Sequence, residues 1–421
     1  MIKRKEIDEA FIASRIFLYL FAIAFVINFS LRNENLQVFT AYAESKKLIL
    51  PICYLLLLIF VITKSSAKTQ SLTLDIQVSV LLFTISISLS ILINLILQGL
   101  QFIGLYWLQG VLQLIGFGLF VIAGTRASDY SLRAEKYWVA ISFFVCASSG
   151  LFQLGISPFI YAYLPFATFL ILISKKLSRF FRLLAILLGP SVLIVSFARK
   201  YTTESISSAW LLAYIISISI LILTIIPIKK RKLITKLAIA FVLSYFLQSN
   251  LLQLLLGRTP DSITDITLVQ RSFEAKVIFE TLSKGILNFI FGLGPGAYID
   301  LSGSPDYRTL ASAGRNLLAV DDAHFLTSWI LLKIGLLGLM IVGLFVIAAF
   351  FSSYKIFNRS PKVEPLDFLF MSICLTGIAT SITAGTNFFT NPLLGFSLGI
   401  IWFRASKQNI AKEKIKFKTK P

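Results

Sequence analysis

The sequence predicts an all-α fold: a polytopic membrane helical bundle of about twelve transmembrane helices, with one long outer loop that contains an amphipathic helix. Three observations predict it. Hydrophobic residues make up 57% of the 421-residue chain, more than a soluble domain of this size carries. They gather in runs long enough to cross a bilayer core, which needs about 20 residues per helix. One long polar stretch, residues 257–322, interrupts these runs.

The apolar runs divide the chain into predicted spans. The first nine cover residues 14–31, 46–63, 72–97, 100–123, 137–156, 158–174, 179–198, 206–227 and 233–256, and the last three cover 324–354, 366–385 and 388–403. Since no internal repeat or low-complexity linker is visible, we interpret residues 1–421 as a single integral membrane domain. Residues 257–323 form the long outer loop between spans 9 and 10. Residues 404–421 form a basic cytoplasmic tail that is predicted to be disordered.

The basic residues predict the orientation of the chain. A formal net charge of +20 could indicate a nucleic-acid partner. With the N-terminus inside, however, the predicted cytoplasmic segments hold 27 of the 40 Lys and Arg, against five in the short outer loops and six in the long loop. This bias is the positive-inside pattern. It predicts the cytoplasmic (inner) membrane, both termini in the cytoplasm, the long loop on the outer face, the lipid bilayer as a partner and no nucleic acid.

An amphipathic helix is predicted within the long loop. Between Thr264 and Phe291, apolar and polar residues alternate at helical spacing. The apolar residues are Val269, Phe273, Val277, Leu282, Ile286 and Phe289, and the polar ones are Gln270, Glu274, Glu280, Lys284 and Asn288. Such a helix lies on or near a membrane surface. Arg271 falls on or beside its polar face, where a surface ion pair with Glu274 is the plainer interpretation.

A glycine-rich turn is predicted to end this helix. Gly292, Gly294 and Gly296 surround Pro295, and glycine permits tight or left-handed backbone while proline blocks further helix. The string lacks the lysine and the strand-to-helix setting of a nucleotide-binding loop.

The only histidine, His324, stands where the loop meets span 10. Because residues 334–351 are uninterrupted apolar sequence, His324 to Lys333 are predicted to continue the helix above the bilayer, with Lys333 reaching the outer interface. An interfacial histidine without a chemical role is one interpretation of His324, and a site residue is the other. Asp321 lies one turn away, but two or three candidate ligands without a second cluster do not predict a metal site.

The three cysteines stand singly in apolar runs and are predicted to be packing residues.

Two cations on the outer face run against the charge pattern. Arg199 and Lys200 follow span 7. Neutralisation of Arg199 by Glu204 or by lipid headgroups is one explanation. The other is that Arg199, Arg271 and His324 are gathered on one side of the membrane for a common purpose.

These residues resemble a known family. The pattern consists of Ser196-Phe197-Ala198-Arg199, Arg271 before Gly292-Leu293-Gly294-Pro295-Gly296-Ala297-Tyr298, and Ala323-His324 before Gly335-Leu336-Leu337-Gly338. In order and spacing, it is similar to the C-terminal half of the O-antigen polymerase and O-antigen ligase family, over about residues 190–400. Phe325 stands where that family commonly has Asn, and Lys333 stands where relatives are often acidic.

The resemblance implies a polytopic membrane glycosyltransferase without a cofactor or metal. It implies that an undecaprenyl-diphosphate-linked oligosaccharide is the donor and that the hydroxyl of a glycan acceptor is the nucleophile, with a chain-length regulator as a candidate partner. Arg199 and Arg271 would bind the diphosphate, and His324 would act as the base or position the acceptor. Gly292, Gly294, Gly296 and Tyr298 are the remaining predicted substrate-binding residues.

Those residue types suit that chemistry. Arginine presents a planar, permanently charged fork to phosphate oxygens. Histidine can take up the proton of the acceptor hydroxyl near neutral pH. A polymerase is favoured and a ligase that uses a lipid-core acceptor is the alternative, while a lipid-linked glycan transporter or flippase is a competing class.

Overall fold

The fold is taken from a computed structural model of the 421-residue chain. The structure describes residues 74–98, 105–127, 266–297, 299–300, 319–320, 325–359, 365–383, 388–389 and 392–418, with fragments at 178–180, 182–184, 187 and 219–220. Five predicted spans, the third, fourth, tenth, eleventh and twelfth, fall on described helices. The other seven lie wholly or largely outside the described residues.

The described chain is almost entirely helical. Its helices are α1 (Leu74–Gln98), α2 (Leu105–Ala127), α3 (Ile266–Ser283), α4 (Ile286–Phe291), α5 (Leu326–Arg359), α6 (Pro365–Thr383) and α7 (Pro392–Lys418). Two short strands, β1 (Ile299–Asp300) and β2 (Ala319–Val320), pair antiparallel between α4 and α5, with Ile299 opposite Val320 and Asp300 opposite Ala319.

Two described helices are long and apolar enough to cross a membrane. They cover Asp75–Leu97 in α1 and Leu326–Asn358 in α5. Their outward faces carry large apolar side chains, among them Ile96 at 73% exposure and Met340 at 64% exposure. Because exposed apolar faces of this extent are unusual in soluble proteins, the two helices suggest a membrane-associated protein.

Local sequence explains where several helices begin. α6 and α7 each start at a proline, whose fixed φ and missing N–H suit the first helical position. Asp75 and Asp367 lie in the first turns of α1 and α6, where a carboxylate interacts favourably with the helix dipole.

Aromatic side chains form the centre of the core. The ring of Phe83 on α1 lies 5.9 Å from that of Phe117 on α2 and 5.5 Å from that of Phe345 on α5, both edge to face. Phe389, just before α7, stacks on Trp329 with ring centroids 4.8 Å apart. Edge-to-face and stacked pairs add about 0.5–1.5 kcal/mol each beyond the burial of their surface.

Glycines bring α2 and α7 into backbone contact. A Cβ atom added at Gly124 would lie 2.0 Å from the carbonyl oxygen of Phe396, and one at Gly399 would lie 2.1 Å from that of Val121. Gly395 and Gly399 have the small-x-x-x-small spacing of close helix pairs in membranes. Since residues 117–125 meet 395–399 in rising order, α2 and α7 run parallel.

The relative direction of α1 and α5 follows from two contacts at different positions along both helices. The Ser90 hydroxyl donates to the Lys333 carbonyl, and Phe83 contacts Phe345, so α1 and α5 are antiparallel. Parallel α2 and α7 and antiparallel α1 and α5 are the relations that strict alternation of the predicted spans requires.

The end of the bundle that contains the start of α6 carries a buried ion pair. The Arg404 guanidinium on α7 donates to the Asp367 carboxylate on α6, and both side chains are about nine-tenths buried. This pair, with the contact between Phe370 and Phe396, sets α6 antiparallel to α7.

The prediction of a disordered tail is wrong for residues up to Lys418. α7 continues through Lys418 without a break. Lysine, glutamate, glutamine and alanine are strong helix formers, and extending an existing helix avoids the cost of nucleating a new one.

Candidate functional site at the broken helix

α5 is broken near its start. Gly335 has φ 66° and ψ −166°, inside what is otherwise a 34-residue helix. This backbone conformation is strained for any residue with a Cβ atom. The prediction of one continuous helix from His324 into span 10 is therefore wrong, because Gly335 separates residues 326–334 from residues 336–359.

The glycine-rich turn enters this break. A Cβ atom at Gly335 would lie 2.4 Å from the Gly292 nitrogen, and one at Gly292, where φ is 76°, would lie 2.7 Å from the Gly335 nitrogen. The two glycines therefore touch backbone to backbone. The N–H of Leu293 also donates to the carbonyl of Leu332 at 2.8 Å.

Two polar residues of α1 complete the contact. The Ser90 hydroxyl donates to the Lys333 carbonyl at 3.0 Å. The Asn94 side-chain amide donates to the Ser90 carbonyl at 2.7 Å and to the Gly292 carbonyl at 3.3 Å. Because a break removes hydrogen bonds within the helix, carbonyls beside it need donors from other segments when water is excluded. Ser90 and Leu293 supply them to α5, and Asn94 supplies one to the turn that enters the break.

The turn is also wedged against α2. A Cβ atom at Gly110 would lie 2.1 Å from the Pro295 carbonyl oxygen, and one at Gly296 would lie 2.5 Å from the Cα of Trp107. We call the contact region of Gly292–Gly296, Ser90, Asn94, Lys333 and Gly335 the glycine junction. It joins the predicted outer loop to α1, α2 and α5.

Lys333 is a buried member of the junction. Its side chain is 5% exposed, and its ammonium donates to the carbonyl oxygen of Ala297 at 2.7 Å. Lys333 is therefore covered by protein and not open to water, because the backbone carbonyl of Ala297 folds over it and accepts a hydrogen bond from its ammonium.

The structure describes four of the seven predicted site residues. Gly292, Gly294 and Gly296 lie in the junction, where Gly292 and Gly294 have positive φ, so the predicted turn is confirmed. A Cβ atom at any of these three glycines would lie against neighbouring protein atoms, so close packing by itself explains why glycine stands there. Arg271 lies on α3, which packs against α5. The side chain of Arg271 falls outside the described residues, as do Arg199, Tyr298 and His324.

The predicted amphipathic helix is two helices. α3 ends at Ser283, and α4 begins after Gly285, whose backbone is extended at φ −149° and ψ 127°. Glycine favours such a break because it loses more chain entropy than other residues in a helix. Phe273 and Leu282 are buried as predicted, whereas Glu274 is 2% exposed and Ile286 is 76% exposed, opposite to the prediction. Because the break turns α4 relative to α3, the helical periodicity of α3 does not predict which side of α4 is buried.

Among the described residues, no group of three or more His, Cys, Asp or Glu side chains is placed to hold a metal ion. Cys374 is fully buried in α6, which confirms its interpretation as a packing residue. Cys53 and Cys146 lie outside the described residues.

Sequence reasoning missed Ser90, Asn94, Trp107 and Gly110. Asn94 gave a usable signal, because an amide inside an apolar span must find hydrogen-bond partners. The others gave no signal, since serine, tryptophan and glycine are ordinary in membrane helices.

Comparisons with known proteins do not assign a family: no protein-family model matches the sequence, and no curated protein matches it significantly. The family resemblance thus rests on the ordered residues quoted above.

Proposed function

We propose that the protein is a membrane-embedded polysaccharide polymerase. It transfers a glycan from an undecaprenyl-diphosphate donor to the hydroxyl of an acceptor sugar at the outer face of the cytoplasmic membrane. The observation that carries the proposal is the packing around the start of α5. α3, which bears Arg271, lies against α5, the glycine-rich turn occupies the break in α5, and His324 precedes Phe325 directly.

The chemistry follows from the residue types. The acceptor oxygen attacks the anomeric carbon, the bond from that carbon to the diphosphate oxygen breaks, and the electron pair leaves with the diphosphate. Arg199 and Arg271 stabilise the developing negative charge. His324 accepts the hydroxyl proton as the new glycosidic bond forms.

The glycine junction supports this chemistry as a scaffold. Reacting groups must be held close to the productive geometry, and rigid elements hold them better than loops. Backbone contacts between Gly292 and Gly335 leave little room for the outer segment to shift against α5.

A lipid-linked glycan flippase is the second candidate, because a broken helix and a buried lysine are both features of transporters. The position of the break favours the transferase. Residues 336–358 form about 34 Å of helix, which already covers a hydrocarbon core of about 30 Å. A span made of these residues has Gly335 at one edge, whereas transporter sites lie near the midplane.

Substitution of the reacting groups tests the proposal. Arg271→Ala and His324→Ala should each lower polymer formation at least about 100-fold, since they remove charge stabilisation and general base catalysis respectively. Lys276→Ala is the matched control, because Lys276 is an exposed cation on the same helix. Glycan length on gels gives the activity, and membrane fractionation shows that each variant is inserted. Near-normal polymer from either alanine variant refutes the role of that residue.

Purified protein in liposomes with carrier-linked oligosaccharide separates the functional classes. Longer carrier-linked glycans indicate a polymerase, and transfer to a lipid-core acceptor indicates a ligase. Translocation without transfer indicates a flippase and overturns the proposal.

A further inference from the structure

We propose that Lys333 is a positioning residue for His324: its ammonium ties Ala297, and through it the β1–β2 pair, to α5. The inference rests on the proposed function for the role of His324. The tie itself rests on contacts within the described residues.

The first step is the hydrogen bond. The Lys333 ammonium lies 2.7 Å from the Ala297 carbonyl oxygen, and the lysine side chain is 5% exposed. A charge-assisted hydrogen bond away from water is among the stronger polar contacts in proteins. The backbone of Lys333 is itself held in place, because its carbonyl accepts a hydrogen bond from the Ser90 hydroxyl. Lys333 also lies two residues before Gly335, the glycine of the break.

The second step is the path from Ala297 to the histidine. β1 starts at Ile299, two residues after Ala297, and pairs with β2, which ends at Val320. Four residues separate Val320 from Phe325, and the Phe325 side chain is 1% exposed. In the sequence, the four residues that include His324 therefore connect the end of β2 to the buried Phe325, just before α5. Lys333 secures the strand side.

The third step separates positioning from direct contact with the donor. The Lys333 ammonium is engaged with the loop backbone at Ala297. Because Lys333 is also buried within the junction, we assign it to holding the segment in place rather than to binding the diphosphate.

Cysteine labelling tests the tie without an activity assay. In a chain whose native cysteines are replaced by serine, Ile299→Cys places a thiol at a position that is 9% exposed in the wild type. Lys333→Met should raise the rate of maleimide labelling about tenfold, since it removes a charge-assisted bond. Lys333→Arg, which keeps a cationic donor, should restore slow labelling, and Lys355→Met on the same helix should leave labelling unchanged. Equal labelling of Lys333→Met and its parent overturns the proposal.

Kinetics then test the role in transfer. Lys333→Met should lower kcat about tenfold or more and leave the KM for the donor within about threefold, because donor binding does not use this ammonium. A raised KM with unchanged kcat would make Lys333 a donor ligand and overturn the proposal.

Cross-linking provides the rescue. An Ala297→Cys/Lys333→Cys pair bridged by a short bis-maleimide should recover most of the kcat that the unbridged pair loses, although no ammonium is present. Failure of the bridged pair to recover would show that the charge itself is needed. A parent protein that transfers no glycan would refute the proposed function, and the labelling result would still decide whether Lys333 holds the strand pair.

Discussion

Replacement of Gly335 by alanine should destabilise the protein strongly. The added Cβ atom would lie 2.3 Å from the Ile290 carbonyl oxygen and 2.4 Å from the Gly292 nitrogen. Forcing a residue with a side chain into this conformation costs about 1–3 kcal/mol, and overpacking costs about 1–3 kcal/mol more. The total of about 2–6 kcal/mol is a large part of the 5–15 kcal/mol that holds a typical protein folded.

The matched control is Gly343→Ala on the same helix. A Cβ atom at Gly343 meets nothing within 4 Å, so this variant should be neutral or more stable by up to about 1 kcal/mol. Thermal unfolding of both variants in one detergent, followed by tryptophan fluorescence at a fixed scan rate, gives the comparison. Equal midpoints for Gly335→Ala and Gly343→Ala would refute the argument that the break is built on glycine.

Three further outcomes are expected in the same assay. Asp367→Asn and Arg404→Met should each lower the free energy of unfolding by about 3–5 kcal/mol, because each leaves a buried polar partner without its opposite charge. The double variant should lose clearly less than the sum of the two, and additive losses would contradict a coupled pair. Gly399→Ala should lower the midpoint well below that of Gly343→Ala, because α7 then cannot approach α2; equal midpoints would remove the helix seam from the account. Asn94→Leu should cost about 1–3 kcal/mol, since it strips a donor from the glycine junction, and a wild-type midpoint would show that this bond is dispensable.

Span positions were predictable where the signal is local. The lengths of apolar runs located α1, α2, α5, α6 and α7, because an apolar run of about 20 residues, the length that a hydrocarbon core of about 30 Å requires, predicts a helix from local sequence alone. The glycine-rich turn was predictable for the same reason: proline restricts the backbone and glycine permits left-handed conformations, whatever surrounds them.

The break in α5 was not predictable. Gly335 lies in an apolar run that reads as continuous helix, and its conformation depends on Gly292, which is distant in sequence. The burial of Lys333 was not predictable for a related reason: a lysine at the end of an apolar run is expected to reach water unless another segment of the chain covers it. Both features depend on tertiary contacts between segments that are distant in sequence. Of the candidate site, the sequence alone could indicate the turn and the order of Arg271 and His324, but not the surface on which the turn rests.

The contact between α2 and α7 has a consequence for biosynthesis. Val121 and Gly399 meet although about 280 residues separate them, so at 5–20 residues per second a ribosome needs roughly 15–60 s to make the second partner after the first. During that interval the glycine face of α2 has no packing partner on α7. Chains truncated before residue 392 should therefore be degraded faster than the full-length chain, because α2 lacks the surface against which it packs.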